Sequence, residues 1–422
     1  MNSSTVLVTV TGRDRAGIAA ALFAALAGHS VDVLDVEQVS IRERLILTVL
    51  LAQYGGDYGA LRDAVASFAQ ALHLDSEVEL LASGVPQAEP EAPEPAFPDG
   101  GTLPVKGWAE DHGQASTVMQ VIVIGRPLRA DAIGEVSGRI AGVNANIEAI
   151  TQLATKPACA LQLSVRTTAP AVLRAMLVQA AEDLGVDIAV EPAGLRRRAS
   201  RLVVMDVDST LIREEGIDVL AQRAGVGPQV AQVTARAMAG ELDFTDSLHA
   251  RVALLAGMSL AEAEAVRDEV RLTRGARTFV RTLKRLGYRV GVVSGGFTLF
   301  TDRFCNELGL DFAAANELEV IDGRLTGRVT GEVIDRAGKA NALRRFAARY
   351  QVPLEQTVAI GDGANDIDML EAAGLGIAFN GKAALRAAAD TSVNLPYLDT
   401  VLFMLGISAE EIAEAAEVAE YA

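Results

Sequence analysis

The sequence predicts an α/β protein in which a doubly wound parallel sheet with a helical cap follows two ferredoxin-like βαββαβ units. From Arg201 onward, short apolar strands end abruptly in polar or glycine-rich loops and are followed by helices. Residues 213–272 have an almost wholly helical pattern, which predicts a cap inserted after the first of these strands. Before position 195, one order of strands and helices occurs twice.

The first βαββαβ unit is predicted over residues 1–83. Its β-rich strands alternate or are apolar, and its helices carry apolar stripes at helical spacing. The segments, in chain order, are Thr5–Val10, Ile18–Leu26, Val31–Ile41, Leu45–Leu51, Leu61–Leu72 and Val78–Leu81.

The second unit is predicted over residues 116–195 and repeats that order. Its segments are Thr117–Ile124, Ala130–Ala141, Ala145–Leu153, Ala158–Val165, Leu173–Leu184 and Val186–Val190. At one constant offset, Gly28, Asp32, Val33, Val36 and Gln38 correspond to Gly142, Asn146, Ile147, Ile150 and Gln152. Chance similarity between two amphipathic stretches is the alternative, but the shared turn and glutamine favour a duplicated module.

Residues 84–115 are predicted to be an extended tether between the two units. Six of the thirteen prolines lie between Pro86 and Pro104, among acidic residues and paired glycines. Proline cannot donate to a strand ladder and like charges repel, so a solvated linker is the interpretation.

Composition excludes several classes of function. The formal net charge of −17 argues against a nucleic-acid partner, because backbone phosphates need a basic surface. Cys159 and Cys305 are too few for a disulfide framework and suit a reducing cytoplasm. No leader segment and no apolar stretch long enough for a membrane span is expected.

Three predicted core strands are followed by groups that can do chemistry. Asp206 and Asp208 follow the strand Leu202–Met205. Two carboxylates this close repel each other, which favours a shared proton or a bound cation such as Mg²⁺. An Asp-x-Asp pair by itself is also typical of surface turns.

The strand Tyr288–Val293 is followed by Ser294-Gly295. The strand Thr357–Ile360 is followed by a loop that contains Asp362 and Asp366. A hydroxyl beside free backbone N–H groups can cradle an anion.

Lys339 begins a further predicted helix, where a cation suits phosphate. Ordinary turns and surface residues explain each motif alone. Their shared position after core strands predicts one site for phosphate chemistry.

Residues 200–400 resemble the phosphoserine phosphatases of the haloacid dehalogenase superfamily. The matching stretches are DVDSTLIREE at 206–215, DFTDSLHARV at 243–252, SGGF at 294–297 and GDGAND at 361–366. The two βαββαβ units resemble ACT domains. The resemblance implies a Rossmann-like haloacid dehalogenase core with a helical cap over 200–422, preceded by two ACT domains.

The resemblance implies Mg²⁺-dependent hydrolysis of O-phospho-L-serine to L-serine and phosphate, the last step of L-serine biosynthesis. Asp206 is then the nucleophile that forms an aspartyl-phosphate, and Asp208 is the general acid and base. The implied Mg²⁺ ligands are the carboxylates of Asp206 and Asp362 and the backbone carbonyl of Asp208, steadied by Asp366.

Further residues are implied to bind substrate. They are Ser294, Gly295, Lys339 and Asn365 for the phosphate, Glu215 for the ammonium, Arg251 for the carboxylate, and Met238 and Phe244 as an apolar lid.

The first ACT-like unit has a loop whose Asp14 and Gly17 resemble the ligand loop of ACT domains. An amino-acid effector, L-serine above all, is the expected ligand, and a homodimer is expected from pairing of edge strands. The second unit lacks the matching Asp and Gly. The alternative is that both units serve only dimerisation.

Two other functions stay open. One is a phosphatase or phosphotransferase for another small phosphomonoester, although Glu215 and Arg251 would then lack partners. The other is an amino-acid-sensing regulatory protein with an inactive phosphatase half. The segment from Leu402 onward is predicted to be a strand or turn followed by an acidic helix.

Overall fold

The computed structural model describes residues 3–54, 57–81, 116–194 and 202–417. Within these ranges it contains an eight-stranded and a seven-stranded sheet, each flanked by helices. The predicted fold class is confirmed. The predicted linker, 84–115, lies outside the described residues.

The first repeat follows the βαββαβ order. Its elements are β1 (Ser3–Arg13), α1 (Ile18–Leu26), β2 (Val31–Ile41), β3 (Arg44–Tyr54), α2 (Tyr58–Ala71) and β4 (Asp75–Leu81). Successive side chains of a strand point to opposite faces of the sheet, and the helices cover the apolar face. On that face, Val6, Val8 and Val10 of β1 are buried in the repeat's core.

The second repeat has the same order. Its elements are β5 (Thr117–Gly125), α3 (Ala130–Gly142), β6 (Asn146–Ala154), β7 (Cys159–Thr167), α4 (Pro170–Leu184) and β8 (Asp187–Pro192).

The two repeats join into one sheet with the order β4-β1-β3-β2-β6-β7-β5-β8. Strands β2 and β6 pair antiparallel at this junction. Gln38 donates from Nε2 to the carbonyl of Ile147 at 2.6 Å, and Gln152 donates to the carbonyl of Leu34 at the same distance. The glutamine shared by the repeats therefore ties each to the other, and this edge pairing occurs within one chain.

A parallel sheet forms the centre of the remaining chain. Its strands are β9 (Leu202–Met205), β10 (Arg289–Phe297), β11 (Phe312–Ile321), β12 (Arg324–Thr330), β13 (Thr357–Gly361), β14 (Leu375–Phe379) and β15 (Thr391–Val393). The order is β12-β11-β10-β9-β13-β14-β15, with β12 antiparallel to β11. β9, which comes first along the chain among these seven strands, is thus the central strand of the parallel sheet.

Four helices between β9 and β10 make up the cap. They are α5 (Gly216–Arg223), α6 (Gly227–Met238), α7 (Phe244–Ala253) and α8 (Leu260–Glu269). The chain enters and leaves the cap through two adjacent segments: Ile212 bridges Leu272, and Thr273 N donates to the carbonyl of Leu211 at 2.8 Å.

The other helices flank the parallel sheet or close the described chain. They are α9 (Ala276–Arg285), α10 (Thr298–Leu308), α11 (Arg336–Arg349), α12 (Ile367–Ala372), α13 (Ala383–Ala388), α14 (Thr400–Met404) and α15 (Ala409–Glu417). Leu402, predicted to start a strand or turn, lies instead in α14. All five α14 side chains are buried against the core, and this tertiary packing outweighs local pattern.

The second repeat packs directly on the parallel sheet. Its Ile122 and Ile124 belong to the same buried cluster as the strands and helices of the phosphatase-like unit. Asp187 accepts hydrogen bonds from the backbone N of Asn394 at 3.0 Å and from its Nδ2 at 2.8 Å. Arg174 pairs with Asp390 at 3.1 Å. No helix in the described residues is long and apolar enough to cross a membrane.

Asp187 makes this interface depend on pH. The side chain is only 4% exposed, and burial raises the pKa of its carboxyl to about 6, despite the hydrogen bonds from Asn394. A raised pKa means that the folded state binds the proton more tightly, so stability is gained as the pH falls through 6. From pH 7 to pH 5 the gain is about 1 kcal/mol.

We therefore expect Asp187→Asn to cancel this gain. Urea unfolding of wild type and variant at pH 7 and pH 5 should show the wild-type advantage growing by about 1 kcal/mol at the lower pH. Asp183→Asn, an exposed carboxylate on the same repeat, is the matched control and should give no growth. An equal growth for both variants would contradict the assignment.

Candidate active site

The strand ends bring the predicted acidic residues together. Met205 of β9 pairs with Ile360 of β13, so Asp206 and Asp362, which follow these strands, lie at the same edge of the sheet. Asp206 N donates to the carbonyl of Ile360 at 2.8 Å. The carboxylates of Asp206, Asp362 and Asp366 each offer an oxygen within 4.8 Å of the others.

Lys339 lies beneath this cluster and has no exposed surface. Its Nζ is 2.7 Å from Asp206 Oδ1 and 2.6 Å from Asp366 Oδ1. Burial would lower the pKa of Lys339, but the two carboxylates outweigh it and hold the pKa above the usual range. Lys339 is therefore a permanent cation, in the first turn of α11 rather than just before the helix.

Asp366 has both carboxylate oxygens occupied by the protein. Oδ1 accepts from Lys339, and Oδ2 accepts from the backbone N of Asp362 at 3.2 Å and of Gly363 at 3.1 Å. Asp366 therefore shapes the loop that carries Asp362.

Burial disfavours the ionised form of the acidic residues as long as no metal cation is bound. It holds the pKa of Asp206 well above its usual range, with Asp366 adding to the effect. Burial and Asp366 also raise the pKa of Asp362 to about 7. Asp206 Oδ1 is buried, and its partner is the ammonium of Lys339. The carboxylates of Asp206, Asp362 and Asp366 lie close enough together to hold a metal ion, and hard oxygen ligands of this kind fit a divalent metal.

Asp208 is set apart from this cluster. Its Oδ1 accepts from the backbone N of Gly216 at 2.7 Å, and Ser294 Oγ donates to its Oδ2 at 3.2 Å. Burial raises its pKa to about 6, with the charge of Glu215 adding to the rise. A carboxyl with this pKa can both give and take a proton near neutral pH.

Ser294 and Gly295 lie in the last residues of β10, which continues to Phe297 instead of ending at Val293. Ser294 Oγ is engaged by Asp208 and by Gly296 N at 2.8 Å, so the side chain lies under the cavity wall. Gly296 must lack a side chain, because a Cβ there would lie 2.6 Å from Asp208 Oδ2.

A cavity of about 150 Å³ opens above these groups, between the sheet edge and the cap. Eight residues that the sequence analysis assigned to the site line this cavity: Asp206, Asp208, Glu215, Phe244, Arg251, Gly295, Asp362 and Asn365. Lys339, Asp366 and Ser294 are buried next to it. Met238 ends α6, but its side chain lies outside the described residues.

Glu215 and Arg251 lie on the cap side of the cavity. Glu215 accepts a hydrogen bond from Ser209 Oγ at 2.9 Å. Arg251 donates from Nε to the carbonyl of Ser247 at 3.2 Å, and burial lowers its pKa. The Phe244 ring packs over Gly295, where an added Cβ would be 2.9 Å from Cζ.

Three lining residues were missed by the sequence analysis: Ile217, Leu248 and Lys382. Gly296 and Phe297 of the SGGF stretch line the cavity as well. Lys382 could have been found, because it follows the core strand β14 as the predicted groups follow theirs. Asn316 was missed as well. It is buried, and its Nδ2 donates to the carbonyl of Gly295 at 2.8 Å, which orients that turn.

In the first repeat, Asp14 and Gly17 line a small cavity between the two repeats. Asn146 of the second repeat donates from Nδ2 to Asp14 Oδ2 at 3.1 Å. In the corresponding loop of the second repeat, Arg129 forms an ion pair with Asp131.

Family profiles agree with this architecture. Residues 203–371 match the haloacid dehalogenase-like hydrolases, and residues 4–79 and 116–191 each match an ACT domain. Residues 333–417 also match the sucrose-6F-phosphate phosphohydrolase profile. Fold and site together define a haloacid dehalogenase-like hydrolase with two ACT domains.

The similarity to individual proteins is more specific. The phosphoserine phosphatase of Streptomyces coelicolor is 53% identical over 99% of this chain and 95% of its own length. That of Mycobacterium tuberculosis is 48% identical over 97% and 95%. A crystal structure of a haloacid dehalogenase family hydrolase from Salmonella enterica covers 68% of this chain and 98% of its own, with 29% identity and a TM-score of 0.61. The chain belongs to the phosphoserine phosphatase family.

The buried Lys339 should be essential to the stability of the metal-free protein. Lys339→Met leaves Asp206 and Asp366 without their counter-charge, and we expect the free energy of unfolding to fall by about 3 kcal/mol. Saturating divalent metal should recover part of this loss. The control is Arg236→Met, which removes an exposed ion pair with Glu241 and should cost less than 1 kcal/mol in urea unfolding. Equal losses would contradict the assignment.

Proposed function

We propose that the chain hydrolyses O-phospho-L-serine to L-serine and phosphate, and that it supplies the last step of L-serine biosynthesis. The observation that carries the proposal is the two-ended cavity. Asp206, Asp208 and Asp362 lie at the sheet edge, while Glu215 and Arg251 lie on the cap side. Phosphoserine has a phosphate at one end and both an ammonium and a carboxylate at the other. The phosphate would meet the metal held by the acidic residues, the ammonium would meet Glu215, and the carboxylate would meet Arg251.

Asp206 acts as the nucleophile in this proposal. Its carboxylate oxygen forms a bond to phosphorus in line with the seryl oxygen, and the bond from phosphorus to that oxygen breaks. Asp208 gives its proton to the departing oxygen, which completes L-serine. Water then attacks the aspartyl-phosphate, Asp208 takes a proton from it, and Asp206 is released with inorganic phosphate. The raised pKa of Asp208, about 6, supports the double role.

We propose Mg²⁺ as the divalent metal, held by the carboxylates of Asp206 and Asp362 and the backbone carbonyl of Asp208. All three donors are hard oxygens, which suits Mg²⁺. When bound, the ion offsets the repulsion between a carboxylate and a phosphate and lowers the pKa values that burial has raised. Asp366 holds the Asp362 loop and Lys339 in position through its hydrogen bonds.

The remaining pocket groups bind and enclose the substrate. Lys339, Ser294, Gly295 and Asn365 are proposed for the phosphate oxygens, where charge is spread in the transition state. Arg251 fits a carboxylate because its guanidinium can donate two parallel hydrogen bonds.

Glu215 pairs with the ammonium. Phe244, packed on Gly295, excludes water together with Met238.

We also propose that an amino acid, L-serine above all, binds near Asp14 and Gly17 and changes activity. Ser137 of the second repeat supports this, because its Oγ is buried at the same cavity and has no partner among the described residues. The cavity is about 10 Å³, the space of about one water, so a bound amino acid would move the repeats apart. The Arg129–Asp131 pair occupies the corresponding loop of the second repeat.

We propose the following organisation for the whole protein. Residues 1–83 and 116–195 are the two ACT domains, 84–115 the tether, and 200–422 the catalytic unit with its cap at 213–272. A homodimer remains our proposal, with the free edge strand β4 available for pairing. Cys159 and Cys305 are free thiols, which supports a cytoplasmic location.

The proposed function is tested by phosphate release from a panel of phosphomonoesters with Mg²⁺. Phosphoserine should be hydrolysed far faster than phosphothreonine, phosphohomoserine or an aryl phosphate, and a chelator should abolish turnover. Asp206→Asn, folded by circular dichroism, serves as the blank and should give none. Near-normal activity of Asp206→Asn would contradict the assignment of Asp206 as the nucleophile.

Adding free amino acids to the same assay tests the effector proposal. If activity does not change and calorimetry detects no binding, dimerisation is left as the role of the repeats.

Arg251 should decide substrate preference. We expect Arg251→Ala to lower kcat/KM for phosphoserine roughly 50-fold through loss of charge-assisted hydrogen bonds, and to change an aryl phosphate little. Arg236→Ala, which removes an exposed cap arginine paired with Glu241, is the control and should change neither. Equal losses on both substrates for Arg251→Ala would show that it does not bind the carboxylate.

A further inference from the structure

Lys382 lines the active-site cavity but belongs to none of the motifs that carry the chemistry. It follows β14 and caps the N-terminus of α13. The residue is exposed, and its charge acts on Asp362, whose pKa it lowers against the effect of burial. Lys382 forms no ion pair with another described residue, so its ammonium is available to a ligand.

The backbone around Lys382 is firmly held. Lys382 N donates to the carbonyl of Asp362 at 2.9 Å, and Asn380 N donates to the carbonyl of Val393 at 2.7 Å. Arg386 donates from Nη1 to the carbonyl of Gly381 at 2.6 Å. These hydrogen bonds tie the backbone of Lys382 to the Asp362 loop and place its side chain at the cavity.

The charges of the cavity explain what such a cation could do. Four lining residues are carboxylic acids, Asp206, Asp208, Glu215 and Asp362, and the whole chain carries −17. Lys339, which is also proposed for the phosphate, is already paired with Asp206 and Asp366 beneath the floor, and Arg251 lies on the cap side. A phosphate dianion that enters this cavity meets strong repulsion, and the attraction that offsets it must be local.

We propose that Lys382 is a positioning residue for the phosphate group. Its ammonium draws the dianion past the acidic walls and holds it beside Asp362 while the cap closes. The inference rests on the proposed function, because it assigns the phosphate end of the substrate to the Asp362 side. It adds a cation that the strand-end motifs do not contain.

The test compares Lys382→Gln, Lys382→Arg and Arg62→Gln in the full chain with Mg²⁺. Arg62 lies on α2 of the first repeat and is the control for an equal change of net charge. Lys382→Gln should lower kcat/KM for phosphoserine about tenfold, mainly through KM, and flatten its dependence on ionic strength. Lys382→Arg should retain most of the activity, and Arg62→Gln all of it.

Binding of inorganic phosphate, measured by calorimetry, is a second readout that does not require turnover. Lys382→Gln should weaken it about tenfold, and Lys382→Arg should not. An unchanged KM and phosphate affinity in Lys382→Gln would overturn the proposal while wild-type hydrolysis of phosphoserine leaves the proposed function intact. A loss confined to kcat, or an equal loss in Lys382→Arg, would overturn it as well. If wild type fails to hydrolyse phosphoserine, the proposed function fails, and the phosphate measurement still decides the role of Lys382.

Discussion

The contact of Lys339 with Asp206 and Asp366 is the constraint on which the site depends. Three charged side chains meet where the chain leaves almost no exposed surface, with the ammonium within 3 Å of both carboxylates. Burying an unpaired charge costs several kcal/mol, so each of these groups needs the others to stay in place. Asp366 carries the constraint onward, because its second oxygen holds the backbone of the loop that presents Asp362.

Around this ion pair, the protein separates two kinds of carboxylic acid. Asp206 and Asp362 follow the neighbouring strands β9 and β13, and burial together with the charge of Asp366 raises the pKa of both. Asp208 instead lies against Gly216 and Ser294 and near Glu215, and its pKa is raised by burial. Similar side chains two residues apart therefore acquire different chemistry from different surroundings.

The two repeats are not loosely attached to the catalytic unit. One continuous sheet joins them through β2 and β6, and the second repeat shares a buried cluster with the parallel sheet. Asp390 illustrates the connection: it pairs with Arg174 of the second repeat and accepts from the backbone N of Gly376 in β14. The same strand leads to Lys382. The second repeat is thus in packed contact with the strand that precedes Lys382.

The sequence by itself determined the fold class, the two repeats, and the strand ends that carry Asp206, Ser294 and Asp362, because periodicity and the position of polar groups after apolar strands are local signals. Only the tertiary structure decided that Lys339 is buried beneath Asp206 and that Leu402 is helical. It also brought Lys382 and Asn316 to the site from elements without a motif. These outcomes depend on packing between segments far apart in the chain, where burial overrides local preference and changes the charge that a side chain can bear.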